Sequence, residues 1–244
     1  MGPGCRGHGP GRPRGAGPAW HTLAAVRCPN PPQELSRADF VSELDALTAV
    51  YAAAMRPDPG QLPGRRSIME QHAGYRGFRA LAVTADAVGQ ADGPGRRGRL
   101  WRPGKPGKPD QIVGFSYGFS GADGQWWHDV VAAALTARTG AAAAAAWLTD
   151  SLEIAEVHVH PDFHSRGIGR SLVLGLAAGR QERTAVLSTQ DAESAARRLY
   201  RGLGFADLLT GYSFPGSAVP YAVMGAALPL RPTGVTETAS SWRA

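Results

Sequence analysis

The chemistry in this 244-residue chain concentrates in one segment, Val157-His158-Val159-His160-Pro161-Asp162-Phe163-His164-Ser165-Arg166-Gly167-Ile168-Gly169-Arg170-Ser171. An apolar strand runs into a turn with two glycines, and a helix begins at once. Gly167 and Gly169 let backbone approach a ligand closely, and the first-turn amides of the helix point outward with the positive end of its dipole. This predicts a diphosphate cradle, with Arg166 and Arg170 adding positive charge beside it. A P-loop is excluded because no Gly-Lys-Ser/Thr occurs. A dinucleotide fingerprint is disfavoured because Leu172 stands where its third glycine would be. His158, His160 and His164 invite a metal reading, but Pro161 interrupts them and no cysteine lies near. They are expected to be strand-end and loop residues, with no metal bound.

A second segment, Glu193-Ser194-Ala195-Ala196-Arg197-Arg198-Leu199-Tyr200-Arg201-Gly202-Leu203-Gly204-Phe205, follows the next strand. Together the two resemble the GNAT superfamily of acyl-CoA-dependent N-acyltransferases. Its usual pattern is Arg/Gln-x-x-Gly-x-Gly/Ala after a strand ending in Val-x-Pro, then Asn-x-x-Ala-x-x-Leu-Tyr-x-x-x-Gly-Phe. The resemblance spans roughly residues 152–205. It implies acetyl-CoA as cosubstrate, lying where two neighbouring parallel strands splay apart, here Leu152 to Val159 and Ala185 to Thr189. Val157, His158 and Val159 would supply backbone contacts to the pantetheine arm. His164, Ser165, Arg166, Gly167, Ile168, Gly169, Arg170 and Ser171 would form the pyrophosphate site. The implied reaction is direct attack of a primary amine on the thioester without a metal, with Tyr200 protonating the leaving thiolate. Two positions depart from the pattern. His164 stands where Arg or Gln is usual and offers fewer donors; Glu193 stands where Asn is common and is assigned no role.

Attack needs a neutral amine, whose pKa in water is about 10.4 for a lysine, so a base must take its proton. The carboxylates on the cleft strand are Glu153 and Glu156. Three residues apart, they are expected on opposite faces of an extended strand, with one facing the cleft. An ungapped comparison with the histone-type branch favours Glu153, whereas Glu156 is nearer the splay and is slightly preferred; both stay open.

These groups must be held by a scaffold. Ser36 reads as the N-cap of a first helix with Phe40, Leu44, Leu47, Val50 and Tyr51 on its apolar face, ending before Pro57. A helical stretch at Ser67 to His72 and strands at Phe78 to Thr84 and Ile112 to Phe119 follow. Asp129 to Arg138 and Ala141 to Leu148 read as alanine-rich helix split by Gly140, inserted where the family usually has a short hairpin. We expect this insertion, residues 121–151, to form a lid over the acceptor side. Trp126-Trp127-His128 reads more readily as core or interface packing than as an acceptor site. Then come strand Leu152 to Val159, helix Gly169 to Gly179, strand Ala185 to Thr189, helix Glu193 to Leu203, and strands at Ala206 to Tyr212 and Tyr221 to Ala227. The expected fold is α/β (α+β): a mixed, partly parallel central sheet flanked by helices, with a splayed strand pair forming the cofactor cleft.

With 43% hydrophobic residues the chain can bury a core. Its 32 glycines and 19 prolines cluster in two places. Residues 1–33 are expected to be a disordered Arg/Gly/Pro-rich tail and residues 87–111 a mobile loop, within an N-acetyltransferase domain at 34–228 followed by a flexible tail at 229–244. The basic excess resides in those two segments, +4 each against −2 for the rest of the chain and +6 overall: the tail holds four arginines and no acid, and residues 88–111 hold four Arg and two Lys against two Asp. No basic folded face is evident, so no specific nucleic-acid partner is expected. Both cysteines, Cys5 and Cys28, lie in the tail, which excludes a disulfide framework. The uncharged run Leu208 to Leu230 is broken by Pro215, Pro220 and Pro229, so no membrane span is expected. The expectation is a cytoplasmic enzyme acting on a small-molecule or peptide amine. The alternative is a non-catalytic acyl-CoA-binding or sensing module of the same fold.

Overall fold

The computed structural model describes residues 30–85 and 111–231. The expected N-terminal tail up to residue 29, nearly all of the 87–111 loop, and residues 232–244 lie outside the described residues. The elements run β1 (Gln33–Leu35), α1 (Arg37–Ser42), α2 (Leu44–Met55), a 3-10 turn, α3 (Leu62–His72), β2 (Arg79–Ala85), β3 (Gln111–Ser120), α4 (Trp126–Thr139), α5 (Ala141–Leu148), β4 (Ser151–Val159), a second 3-10 turn at Pro161–Phe163, α6 (Ile168–Ala177), β5 (Thr184–Gln190), α7 (Ala195–Arg201), β6 (Ala206–Tyr212) and β7 (Tyr221–Ala227). They build a seven-stranded sheet in the order β1-β2-β3-β4-β5-β7-β6. The parallel part reduces to one pair, β4 with β5; every other pairing is antiparallel.

Helices cover both faces. On one face α6 buries Ile168, Leu172, Val173 and Leu176 against Leu81, Val83, Val113, Leu152 and Ile154. Full burial of such side chains stabilises by about 1.5–3 kcal/mol each, enough to hold the start of α6 rigidly against the sheet. On the other face two separate helical groups stand side by side. α1 to α3 pack Phe40, Leu44, Leu47 and Met69 on Phe115, Tyr117 and Phe119 of β3. The α4–α5 hairpin packs Val131, Leu135, Ala144 and Leu148 on Val186, Val223 and Leu209 of the β5–β7–β6 half. β4 is the strand over which the two groups meet.

Several boundaries differ from expectation. The single first helix is two, because Glu43 leaves helical geometry (φ −95°, ψ 7°) while Ser42 Oγ donates back to the Asp39 carbonyl. α3 begins at Leu62, five residues before the predicted Ser67, because Pro63 falls in the first turn, where no amide donor is required. Gln33, placed in the tail by composition, pairs with Ala82 as part of β1, and Leu230 packs against the core on the α6 face. Among the described residues no helix is long and apolar enough to cross a membrane.

Candidate functional site

The ladder between β4 and β5 has three rungs, Ser151 with Thr184, Leu152 with Ala185 and Glu153 with Val186, and stops. Each strand then stays with its other neighbour, β4 with β3 as far as Val159 opposite Gly114, and β5 with β7 as far as Gln190 opposite Tyr221. Two strands that part while both remain paired elsewhere leave a gap, and beyond Glu153 β4 has no ladder partner on its β5 side, where the Val159 carbonyl is taken by His164. Val157, His158 and Val159 all lie in that part of β4. The side chain of His158 turns to the α1–α3 face, against the rings of Tyr51 and Phe115, and its backbone, paired opposite Phe115, is turned to β3.

At the open end of the gap the chain makes its glycine turn. Ser165 (φ 60°) and Gly167 (φ 77°) are both left-handed, and Gly167 caps α6 with no side chain on the first-turn amides. A side chain at Gly167 would be strained by that φ, and the bare turn keeps the N–H groups of Ile168, Gly169 and Arg170 available for an anion. Ile168 is buried and contributes backbone alone. Arg166 lies over the Phe163 ring, 5.1 Å from its centroid, and donates to the Asp162 carbonyl at 3.1 Å. Arg170 is exposed. Ser171 Oγ donates back to the Ile168 carbonyl. His164 Nε2 bonds the Val159 carbonyl at 2.9 Å, so its ring ties the turn to the end of β4.

Tyr200 of α7 is 7% exposed and packs edge-on against Phe205. Burial, with the negative charge of Glu156 adding to it, pushes its phenol well above the ordinary value, so the hydroxyl remains protonated and can donate. α7 is fixed by the buried Arg197, which pairs with Asp191 and Asp207. Glu193 is exposed and held by Arg201 at 2.8 Å.

The two carboxylates of β4 correct the sequence reading. Tyr117 of β3 sits opposite Glu156, but the next residue, Gly118, sits opposite Ile154. Ala155 is therefore a bulge, and the extra residue moves Glu153 and Glu156 onto the same face of the strand, not opposite ones. Their surroundings then diverge. Glu156 points toward α3: Arg65 Nη1 donates to Oε1 at 2.8 Å and His158 Nε2 lies 2.5 Å from Oε2. Burial alone would raise its pKa, but His158, Arg65 and His72 outweigh that and hold it below the usual carboxylate range. His72 itself is pushed down to about 4 by burial and bonds the Tyr117 hydroxyl at 3.1 Å.

Glu153 is 3% exposed and points toward α4, where His128 Nδ1 lies 2.6 Å from Oε1. Burial pushes this carboxyl up despite the opposing pull of His128. The hydrogen bond that the Glu153 carboxylate accepts in turn raises the His128 imidazole above its ordinary value against its own burial. Glu153 sits on the last rung of the β4–β5 ladder, at the apex of the gap.

Sequence reasoning missed His128, Arg65 and the side-chain role of His158. His128 carried a usable signal, since His128, Val131 and Leu135 fall at i, i+3 and i+7 and share the buried face of α4. The run it belongs to is divided three ways. Trp126 is 59% exposed, Trp127 Nε1 donates to Ser188 Oγ at 3.0 Å, and His128 reaches the site. Arg65, 91 residues from Glu156, had no local signal. Among the described residues no group of three or more His, Cys, Asp or Glu is arranged to hold a metal ion.

Comparison with known proteins agrees with this arrangement. The acetyltransferase (GNAT) domain family matches residues 110–207. The chain is 37% identical over 192 residues to the GCN5-like protein acetyltransferase Rv2170 of Mycobacterium tuberculosis, covering 76% of this chain and 91% of that protein. Among solved structures it resembles the ribosomal-protein-S18-alanine N-acetyltransferase of Escherichia coli (TM-score 0.51, 14% identity, covering 84% of this chain and 99% of that one). It likewise resembles the NatC complex bound to Gag peptide and CoA (TM-score 0.51, 13% identity, covering 81% and 97%). With its parted β4–β5 pair, its glycine turn before α6 and this relationship to a GCN5-like acetyltransferase, the chain belongs to the GNAT family of acetyltransferases.

Proposed function

We propose that the chain is an acetyl-CoA-dependent N-acetyltransferase whose acceptor is a primary amine of a protein or peptide. The observation that carries this reading is the end of the β4–β5 ladder at Glu153. In this reading the gap is bordered by an open strand side, the capless start of α6 and a buried carboxylate at its apex, and takes the buried phenol of Tyr200 as its acid. The donor set suits a nucleotide thioester: backbone amides and arginines at the turn for the phosphates, and the edge of Ile154 to Val159 for an amide-bearing arm. When bound, acetyl-CoA supplies the activated acetyl group.

The rest of the chemistry belongs to the side chains. Glu153 takes the acceptor's proton, because its raised pKa brings it nearer the amine than an ordinary carboxylate and its Oε2 has no hydrogen-bond partner among the described residues. Glu156, slightly preferred from sequence, is held by Arg65 and His158 below the usual carboxylate range and is a weaker base. Tyr200 donates to the departing sulfur. The choice of a protein amine follows the curated relative, a protein acetyltransferase; small-molecule amines are the second class to screen. The domain boundary we adopt is 34–228, with Gln33 added as the first residue of β1.

The test is mass spectrometry of the full chain incubated with acetyl-CoA and lysine peptides, free N-terminal peptides, an aminoglycoside and a polyamine, beside Tyr200→Phe. Acetylated peptide, with turnover falling at least about tenfold in Tyr200→Phe and CoA affinity kept, supports the reading. One observation favours the alternative of a CoA-binding module without transfer: His164 uses Nε2 on Val159, leaving that side chain one fewer donor for phosphate. CoA binding by calorimetry without product from any amine would establish that alternative.

A further inference from the structure

We propose that His128 is a positioning and relay residue for the reaction, carrying the acceptor's proton from Glu153 to the surface through a cleft inside the α4–α5 insertion. This rests on the reading of Glu153 as the proton acceptor. The geometry has three parts. Nδ1 of His128 meets Glu153 Oε1 at 2.6 Å, both residues being buried. On the far side of the ring, Nε2 lies 3.6 Å from Oδ1 of Asp123, whose side chain is fully exposed. His128 also forms one wall of a cleft of about 430 Å³ between α4 and α5, lined by Asp123, Ala132, Thr136, Ala144 and Leu148 among others. One imidazole thus joins the apex of the buried gap to an opening on the insertion.

Packing shows that this contact is built closely. A Cβ added to Gly121 would lie 2.6 Å from Glu153 Oε1 and 3.0 Å from His128 Nδ1. The acidic groups that act on the ring are Glu153 from β4, Asp123 from the loop before α4, and Asp129 from α4 itself. The cleft-lining residues of α5, from Ala141 to Leu148, carry no charge. All three acids favour a bound proton, and so fit a ring that must receive one.

The step conserves its atoms. One proton lies between Glu153 Oε1 and His128 Nδ1. As it settles on Nδ1, the Nε2 proton leaves to the Asp123 carboxylate or to water, and the Glu153 carboxylate so freed takes the acceptor ammonium's proton on Oε2, giving the free amine. The pair ends with as many protons as it began with, and exchange with water restores the tautomer.

The test uses the full chain with His128→Asn, His128→Ala and Glu153→Gln. Asparagine keeps a donor near the position of Nδ1 but cannot accept a proton there. We expect kcat in His128→Asn to fall about 10²-fold with the KM for acetyl-CoA unchanged. The parent's rate should rise with pH through a group above the ordinary histidine value of about 6.5, and His128→Asn should lose that limb. Free imidazole should restore His128→Ala in proportion to its unprotonated fraction, with circular dichroism confirming that the variants fold. A parent-like kcat and pH limb in His128→Asn, or a His128→Ala rate unmoved by imidazole, overturns the relay. If Glu153→Gln is inactive while His128→Asn is fully active, the relay alone fails; if Glu153→Gln is as active as the parent, the assignment of the base fails with it.

Discussion

Glu156 with its α3 neighbours and Glu153 with its α4 neighbour are two versions of one arrangement, a buried carboxylate three residues from the other on the same face of the same strand. What differs is who meets them. Glu156 faces Arg65 and His158, so burial is outweighed and the group is fixed as an anion. Glu153 faces one imidazole, so burial wins and the carboxyl is biased toward holding a proton. Depth alone does not decide the proton chemistry of a buried acid; the number and permanence of its cationic partners do. The α3 side is a structural clamp that orders the helices over β4, and the α4 side is the one to which we assign the movement of protons.

The most drastic way to break this comparison is to remove its cause. Deleting Ala155 should remove the bulge, leaving Glu153 and Glu156 two residues apart on one face of a regularly paired strand and no longer aimed at α4 and α3 as they are now. We expect loss of acetylation and a fall in thermal stability larger than any single substitution below, read by circular dichroism. Next in size, Glu153→Gln should lower kcat by about 10²–10⁴-fold while calorimetry shows CoA affinity retained. Glu156→Gln should affect stability more than the chemical step.

Arg65→Met should destabilise by about 1–3 kcal/mol in urea unfolding. That is less than the roughly 3–5 kcal/mol of fully buried pairs, because the Arg65 side chain is 35% exposed and His158 remains beside Glu156. The smallest effect is a pair of opposite pH slopes. Glu156, with its folded pKa depressed, contributes stability that is present above the ordinary carboxylate value and lost as pH falls through the depressed one. Glu153, with its folded pKa raised, costs stability as pH rises from the ordinary value through the raised one. Parent minus Glu156→Gln should therefore grow with pH in the acid range, and parent minus Glu153→Gln should shrink. Slopes of the same sign would erase the distinction between the two acids.

Much of this was legible in the residues. Strand, glycine turn and helix at 157–171 are set by local rules, because a left-handed glycine and an apolar 3.6-residue period act over a few residues. The expectation for Tyr200 came from the family resemblance of residues 193–205, since a lone tyrosine on an amphipathic helix reads as core. The clamp was not, because Arg65 meets Glu156 across 91 residues and no local pattern reports such a contact. The bulge was hidden for a different reason. Ala155 fits either face of a strand, so its sequence is silent about register. β1 escaped because three residues are too few to display alternation, and the start of α3 because Pro63 and Gly64 look like breakers when their place in the first turn is unknown.

The three-rung ladder between β4 and β5 has a mechanical corollary. It divides the sheet into two antiparallel leaves, β1 to β4 and β5 to β6, each laced internally but sewn to the other by a very short seam. The α4–α5 hairpin grips the second leaf through Trp127 on Ser188 and through the Trp147 carbonyl on Thr184, and it touches the first through His128 on Glu153. It therefore works as a brace across the seam, and the bond we assign to proton traffic also helps set how widely the leaves stand apart.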